Sequence, residues 1–163
     1  VKPTLVIGIG NLDRGDDAAG VRLARRLRAH EPKNVLVREC SGAASGLIES
    51  WRRQERVILI DAASGGGRPG SVRRFEAQEG PLPAKVLRAS THSWGVVEAI
   101  ELARSLGELP RQVVVYAIEG QSFEPGRRLS PKVAKAIDRL ERTILRELER
   151  AAPPPARLLH ERP

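Results

Sequence analysis

The chain has 163 residues, 40% of them apolar, and a formal net charge of +8. That length suits one domain around a single core, and no apolar run approaches the roughly 20 residues of a membrane-spanning helix. The single cysteine, Cys40, excludes an internal disulfide and fits a reducing compartment.

Only five side chains are aromatic, so the core is built from Val, Leu, Ile and Ala. The opening VKPTLVIGIG enters a strand directly. It lacks the apolar stretch and small-residue cleavage site of a signal peptide, and the expectation is a cytoplasmic protein. Arg supplies 23 of the 28 cationic side chains. They are scattered along the sequence and read as a bias of composition, so neither a nucleic-acid nor a membrane partner is expected.

TLVIGI (4–9) is a short apolar run ending at a glycine-rich turn, the pattern of a buried strand in a parallel sheet. Ala18, Val21, Ala24 and Leu27 then recur at helical spacing, with Arg22, Arg25, Arg26 and Arg28 largely on the other side. This predicts an amphipathic helix starting near Asp16. VLVRE (35–39) is a second strand, 44–53 a helix, and RVILID (56–61) a third strand, buried until its last residue.

SGGGRPG (64–70) is a surface loop, and SVRRFEA (71–77) alternates like an edge strand. WGVVEAIELARSLG (94–107) is helical, with a glycine stop, and QVVVYAIEG (112–120) contains another strand. SPKVAKAIDRLERTILRELERA (130–151) is a long helix, with Ser130 at its N-cap and Pro131 in its first turn. Strands alternating with helices predict a three-layer α/β/α sandwich around a mostly parallel, twisted sheet of about five strands. Residues 1–150 form one domain, and 151–163 are expected to be a disordered tail.

The residues able to do chemistry share one address. Asp16 and Asp17 follow the first strand, Asp61 closes the third, and His92 precedes a helix in STHSWG. Right-handed crossovers bring these segments to one rim of the sheet, where open α/β sheets bind ligands. Singly, each has an ordinary explanation as a cap or a strand-end hydrogen bonder. Together, carboxylates and an imidazole on one rim call for a cation, and the set suits Zn²⁺ or Ni²⁺. GIGNLDRGDDAAG (8–20) lacks the third glycine of a dinucleotide fingerprint and the Gly-Lys-Ser/Thr of a P-loop. Its acids repel phosphate. His30, His160 and Cys40 are weaker candidates, and Cys40 reads as a buried thiol at the same rim. No H-E-x-x-H or G-x-S-x-G motif is present.

LVIGIGNLDRGDDAAGVRLARRL, RVILIDAA and STHSWGVVEAIELAR resemble the three signature blocks of the hydrogenase maturation endopeptidases. YAIEGQSFEPGRRLSPKVAKAID resembles that family's last strand and helix, so the likeness spans about residues 4–150. The resemblance implies an endopeptidase that removes the C-terminal extension of a NiFe hydrogenase large-subunit precursor once nickel is inserted. It implies that Asp17, Asp61 and His92 contact the metal. The nickel is then carried by the substrate, with zinc as another divalent metal that would suit the set. The first acid of the block is Glu in some members and Asp here.

Asp16 and Asp17 are expected to be the catalytic acids, with Asp16 the general base. The loop after the second strand, CSGAASG (40–46), departs from the Asp-Gly-Gly-Thr-like pattern frequent in the family. Cys40 and Gly42 of this loop are the expected substrate contacts, and a monomer acting on the large precursor is the expected assembly. Two alternatives stand beside this reading. One is a non-catalytic metal or nickel carrier. The other is a peptidyl-tRNA hydrolase-like enzyme, which shares the G-x-G-N start but needs a G-N-P-G continuation and an Arg-His-Asn set absent here.

Overall fold

The computed structural model describes residues 2–85, 87 and 95–151. Five strands, β1 (Thr4–Ile9), β2 (Val35–Cys40), β3 (Arg56–Ala63), β4 (Val72–Glu76) and β5 (Gln112–Glu119), form one sheet in the order β2-β1-β3-β5-β4. The first four in that spatial order run parallel, and β4 closes the edge antiparallel to β5. Helices α1 (Ala19–Ala29), α2 (Ala44–Trp51), α3 (Val96–Ser105) and α4 (Pro131–Ala151) cover the two faces. The expected mostly parallel α/β sandwich is present.

Alternation along the strands divides the core. Leu5, Ile7, Leu59 and Val113 pack with Leu47, Trp51 and Ile100 beneath α2 and α3. Val6, Ile58, Ile60 and Val114 pack with Leu23, Leu27, Ile137 and Ile144 beneath α1 and α4. Central strands buried on both faces explain why these runs are almost wholly apolar.

Two glycines bring α1 close to the sheet. A Cβ on Gly8 would lie 2.4 Å from the Gly20 carbonyl oxygen, and one on Gly20 would lie 2.2 Å from that of Ile60. The glycines around the first turn therefore serve strand–helix contact, with no phosphate needed to explain them.

The first helix differs from its expected start. Gly15–Ala18 is a 3₁₀ turn, and α1 follows from Ala19. Strand β3 runs two residues past Asp61, because Ala62 and Ala63 continue the ladder opposite Ile118 and Glu119. Helix α4 begins where its sequence signals place it, and the Ser130 carbonyl accepts the Ala134 N–H at 2.9 Å. The expected tail lies outside the described residues apart from Ala151, which ends α4. Among the described residues no helix is long and apolar enough to cross a membrane.

Candidate functional site

The chain leaves β1 through α1 to reach β2 on one side, then crosses back through α2 to β3 on the other. The carboxyl ends of β1 and β3 therefore flank a topological switch point, where the outgoing loops diverge and leave a crevice. Asp17 and Asp61 lie on its two sides.

The loop after β1 is shaped around Asp17. Gly10 has φ +140°, and a Cβ there would lie 1.8 Å from the Asp17 carbonyl oxygen, so no other residue fits. The Gly10 N–H donates to the Cys40 carbonyl at 3.1 Å, tying this loop to the end of β2. The Asn11 N–H donates to Asp17 Oδ2 at 3.0 Å, and Asn11 Oδ1 accepts the Asp13 N–H at 2.9 Å. The Asn of G-x-G-N thus shapes a turn while its backbone holds an acid. Asp17 is buried, at 5% exposure.

Asp61 alternates with Leu59 and Ala63, which places its side chain on the α2–α3 face of β3. Its carboxyl is pushed well above the ordinary range, first by burial and then by the negative charge of Asp17; the Ala62 backbone works in the opposite direction. The two acids therefore interact across the crevice. A like-charged pair of this kind, Asp17 buried and Asp61 half-buried, is relieved by protonation or by a cation. Both groups offer hard oxygen donors, and a borderline metal adds imidazole or thiolate.

His92, the expected third member, lies outside the described residues. The described chain resumes at Gly95, where a Cβ would lie 2.1 Å from the Gly42 carbonyl oxygen. The loop after β2 and the entry to α3 therefore meet closely at this rim. Among the described residues alone, no three His, Cys, Asp or Glu side chains converge to hold a metal.

Asp16 has a different position from the one a general base requires. It is fully buried, and its carboxylate accepts four hydrogen bonds. These come from the N–H groups of Gln121 (2.7 Å), Ser122 (3.1 Å) and Ser130 (2.7 Å) and from the Ser130 hydroxyl (3.0 Å). Its own N–H donates to the Ser122 carbonyl at 2.8 Å. Three of these donors share Oδ2 and one takes Oδ1, and a fully buried carboxylate held in this way is not placed to take a proton from a water in the crevice, which corrects the general-base expectation. Asp16 fastens the segment between β5 and α4 to the turn that carries Asp17, and the Ser130 hydroxyl is spent on this contact.

Cys40 and Gly42 form the corner after β2. Gly42 has φ +99°, and its N–H lies 3.5 Å from Cys40 Sγ. Cys40 is partly buried against the core and borders a shallow groove of about 390 Å³, shared with Gly10, Asn11, Leu12, Asp13 and Ser41. That groove adjoins the loop that carries Asp17.

One functional-looking acid escapes the sequence reading. Glu119, at the end of β5, is buried, and its carboxylate accepts the N–H groups of Gly65 (3.2 Å), Gly66 (3.0 Å) and Gly67 (3.2 Å). The glycine-rich loop after β3 is therefore wrapped around an anion. The signal that singles out Asp61, an acid closing an apolar strand, is equally present in VVVYAIE.

Comparison with known proteins agrees with this architecture. Residues 21–147 match the family model described as hydrogenase maturation protease. A hydrogenase expression/formation protein, HupD, of Thiocapsa roseopersicina is 29% identical over 147 residues, covering 83% of this chain and 66% of the relative, just under two thirds of its length. The hydrogenase 2 maturation protease of Escherichia coli K12 is 28% identical over 138 residues, covering 82% of this chain and 83% of the relative. Among solved structures, the hydrogenase maturating endopeptidase HybD from E. coli superposes with a TM-score of 0.75 at 24% identity, over 92% of this chain and 94% of the other. A NiFe hydrogenase maturation protease, HybD, from Thermococcus kodakarensis gives 0.68 at 25% identity, over 90% and 99%.

Proposed function

The chain belongs to the hydrogenase maturation protease family, and from that premise we propose that it is an endopeptidase of the cytoplasm. Its substrate is the precursor of a NiFe hydrogenase large subunit, from which it removes the C-terminal extension after nickel insertion. The observation that carries this reading is the Asp17–Asp61 pair: two interacting acids, one with its carboxyl held high, at the switch point of the sheet.

Asp17 and Asp61, joined by His92, contact the nickel that the precursor already holds through cysteine thiolates. The metal is part of the substrate and serves as a ruler that sets one peptide bond in the crevice. The Cys40–Gly42 corner and the groove beside it accept the adjoining peptide. Asp16 keeps the turn beneath Asp17 in place. Because Asp16 is buried and held by its four donors, removal of the attacking water's proton and its delivery to the leaving amine nitrogen fall to the Asp17–Asp61 pair.

The test is a processing assay read by intact mass, with circular dichroism to verify folding. Asp17→Asn, Asp61→Asn and His92→Ala are each expected to abolish release of the C-terminal peptide while the fold persists. Normal processing by all three variants would overturn the site assignment.

A further inference from the structure

The cations that look scattered in the sequence are gathered by α4. At about 100° per residue, Lys132, Lys135, Arg139, Arg142, Arg146 and Arg150 fall within one sector of about 80°, in a row about 27 Å long. All six are exposed. They follow one another at spacings of three and four residues, the distances at which like charges on a helix repel. Lys132 adds a positive charge at the helix end that disfavours one.

Three of the four acids of α4 do not relieve this repulsion, because other elements have claimed them; the fourth, the exposed Glu149, borders the row only near its C-terminal end, three residues from Arg146. Asp138 pairs with Arg26 at 2.7 Å, and Glu141 pairs with Arg26 and with His30. Glu147 binds Arg56 at 2.7 Å and accepts the Tyr116 hydroxyl. Among the described residues none of the six cations has an acidic partner. Arg139 donates to the Gly70 carbonyl at 3.0 Å and Arg146 to that of Arg142 at 3.2 Å.

We propose that this outer face of α4 is an electrostatic docking surface for an acidic face of a partner protein. Four of the six cations are Arg, whose planar fork matches carboxylates two bonds at a time. No aromatic side chain lies in the row to stack on bases, as single-stranded nucleic-acid sites require. The apolar side of α4 is buried in the core, so none of it is left to enter a lipid interface. The surface is independent of the peptidase reading, since the row lies on the solvent side of α4 and includes none of the acids at the switch point.

The test uses the full chain, with labelled poly-L-glutamate as the acidic probe and fluorescence anisotropy as the readout. Duplex DNA and phosphatidylglycerol vesicles are run beside it. Two triple variants remove equal charge: Lys135→Gln/Arg142→Gln/Arg146→Gln on the row, and Lys33→Gln/Arg53→Gln/Arg111→Gln elsewhere on the surface. The row variant should bind polyglutamate about tenfold more weakly and the other less than about threefold, with binding falling as salt rises. The row variant should melt no lower than the parent, since like-charge repulsion has been removed. Equal weakening by both variants would reduce the row to overall charge and overturn the proposal. Preference for DNA or for vesicles over polyglutamate would also overturn it, in favour of that partner.

Discussion

Asp17 raises the carboxyl pKa of Asp61 across the junction of β1 and β3. The two acids come from segments more than 40 residues apart, Asp17 held in the turn after β1 and Asp61 within the last residues of β3. Their proximity sets two negative charges against each other unless one acid is protonated or a cation lies between them.

That interaction gives the metal-free protein a defined pH dependence. Asp61 has a native pKa above its unfolded value of about 3.9, so between the two the native state binds more protons than the unfolded state. Its contribution is therefore fully present below the unfolded value and is lost as pH rises through the native one. Asp61→Asn should remove this slope and raise the melting temperature near neutral pH. Asp17→Asn should lower the Asp61 pKa, read by carboxyl chemical shifts in an NMR titration. An Asp61 titration unchanged by Asp17→Asn would contradict the coupling.

Asp16→Ala leaves the backbone N–H groups of Gln121, Ser122 and Ser130 without their acceptor. Hydrogen bonds to a charged group contribute about 1.5–3 kcal/mol each, so a loss of at least about 3 kcal/mol is expected in urea denaturation. Asp16→Asn should recover part of it, because its amide keeps one acceptor oxygen. A loss below about 1 kcal/mol for Asp16→Ala would show that the carboxylate does not fasten the segment between β5 and α4.

Glu119→Ala should loosen the loop it holds. The amides of Gly65, Gly66 and Gly67 are expected to exchange with solvent at least about tenfold faster, the equivalent of about 1.4 kcal/mol of local protection. Amides of β1 in the sheet centre should hardly change. Unaltered exchange at the three glycines would mean that the loop keeps its shape without the anion.

Gly20→Ala drives a methyl group against the Ile60 and Ile9 carbonyl oxygens, neither of which can turn aside. Overpacking costs about 1–3 kcal/mol, and this position should fall at the upper end. Gly107→Ala is the control: no heavy atom lies within 4 Å of the new Cβ, and only its φ of +69° opposes the change. It should cost about 1 kcal/mol. Equal losses at both positions in denaturant melts would deny the close approach of α1 to the sheet.

The strands and helices were legible because their signals are local. The run TLVIGI, the helical spacing from Ala18 to Leu27 and the Ser130-Pro131 start of α4 each announce their element within a few residues. Asp61 was legible as an acid after an apolar run, although β3 continues two residues beyond it. What could not be read depends on contacts remote in sequence. Asp16 looks like a helix cap until Gln121, Ser122 and Ser130 fold back on it from more than 100 residues away. Glu119 and its glycine cradle are separated by over 50 residues. The row on α4 hides in plain sight, because the cations are unremarkable until Asp138, Glu141 and Glu147 are seen to be engaged elsewhere.

The most direct test of the central claim is the intact mass of a NiFe hydrogenase large-subunit precursor after incubation with this protein, with and without nickel loading. Loss of a C-terminal peptide from the nickel-loaded precursor alone is the predicted result. Cleavage of both samples would remove the metal ruler from the account, and cleavage of neither would contradict the proposed activity itself.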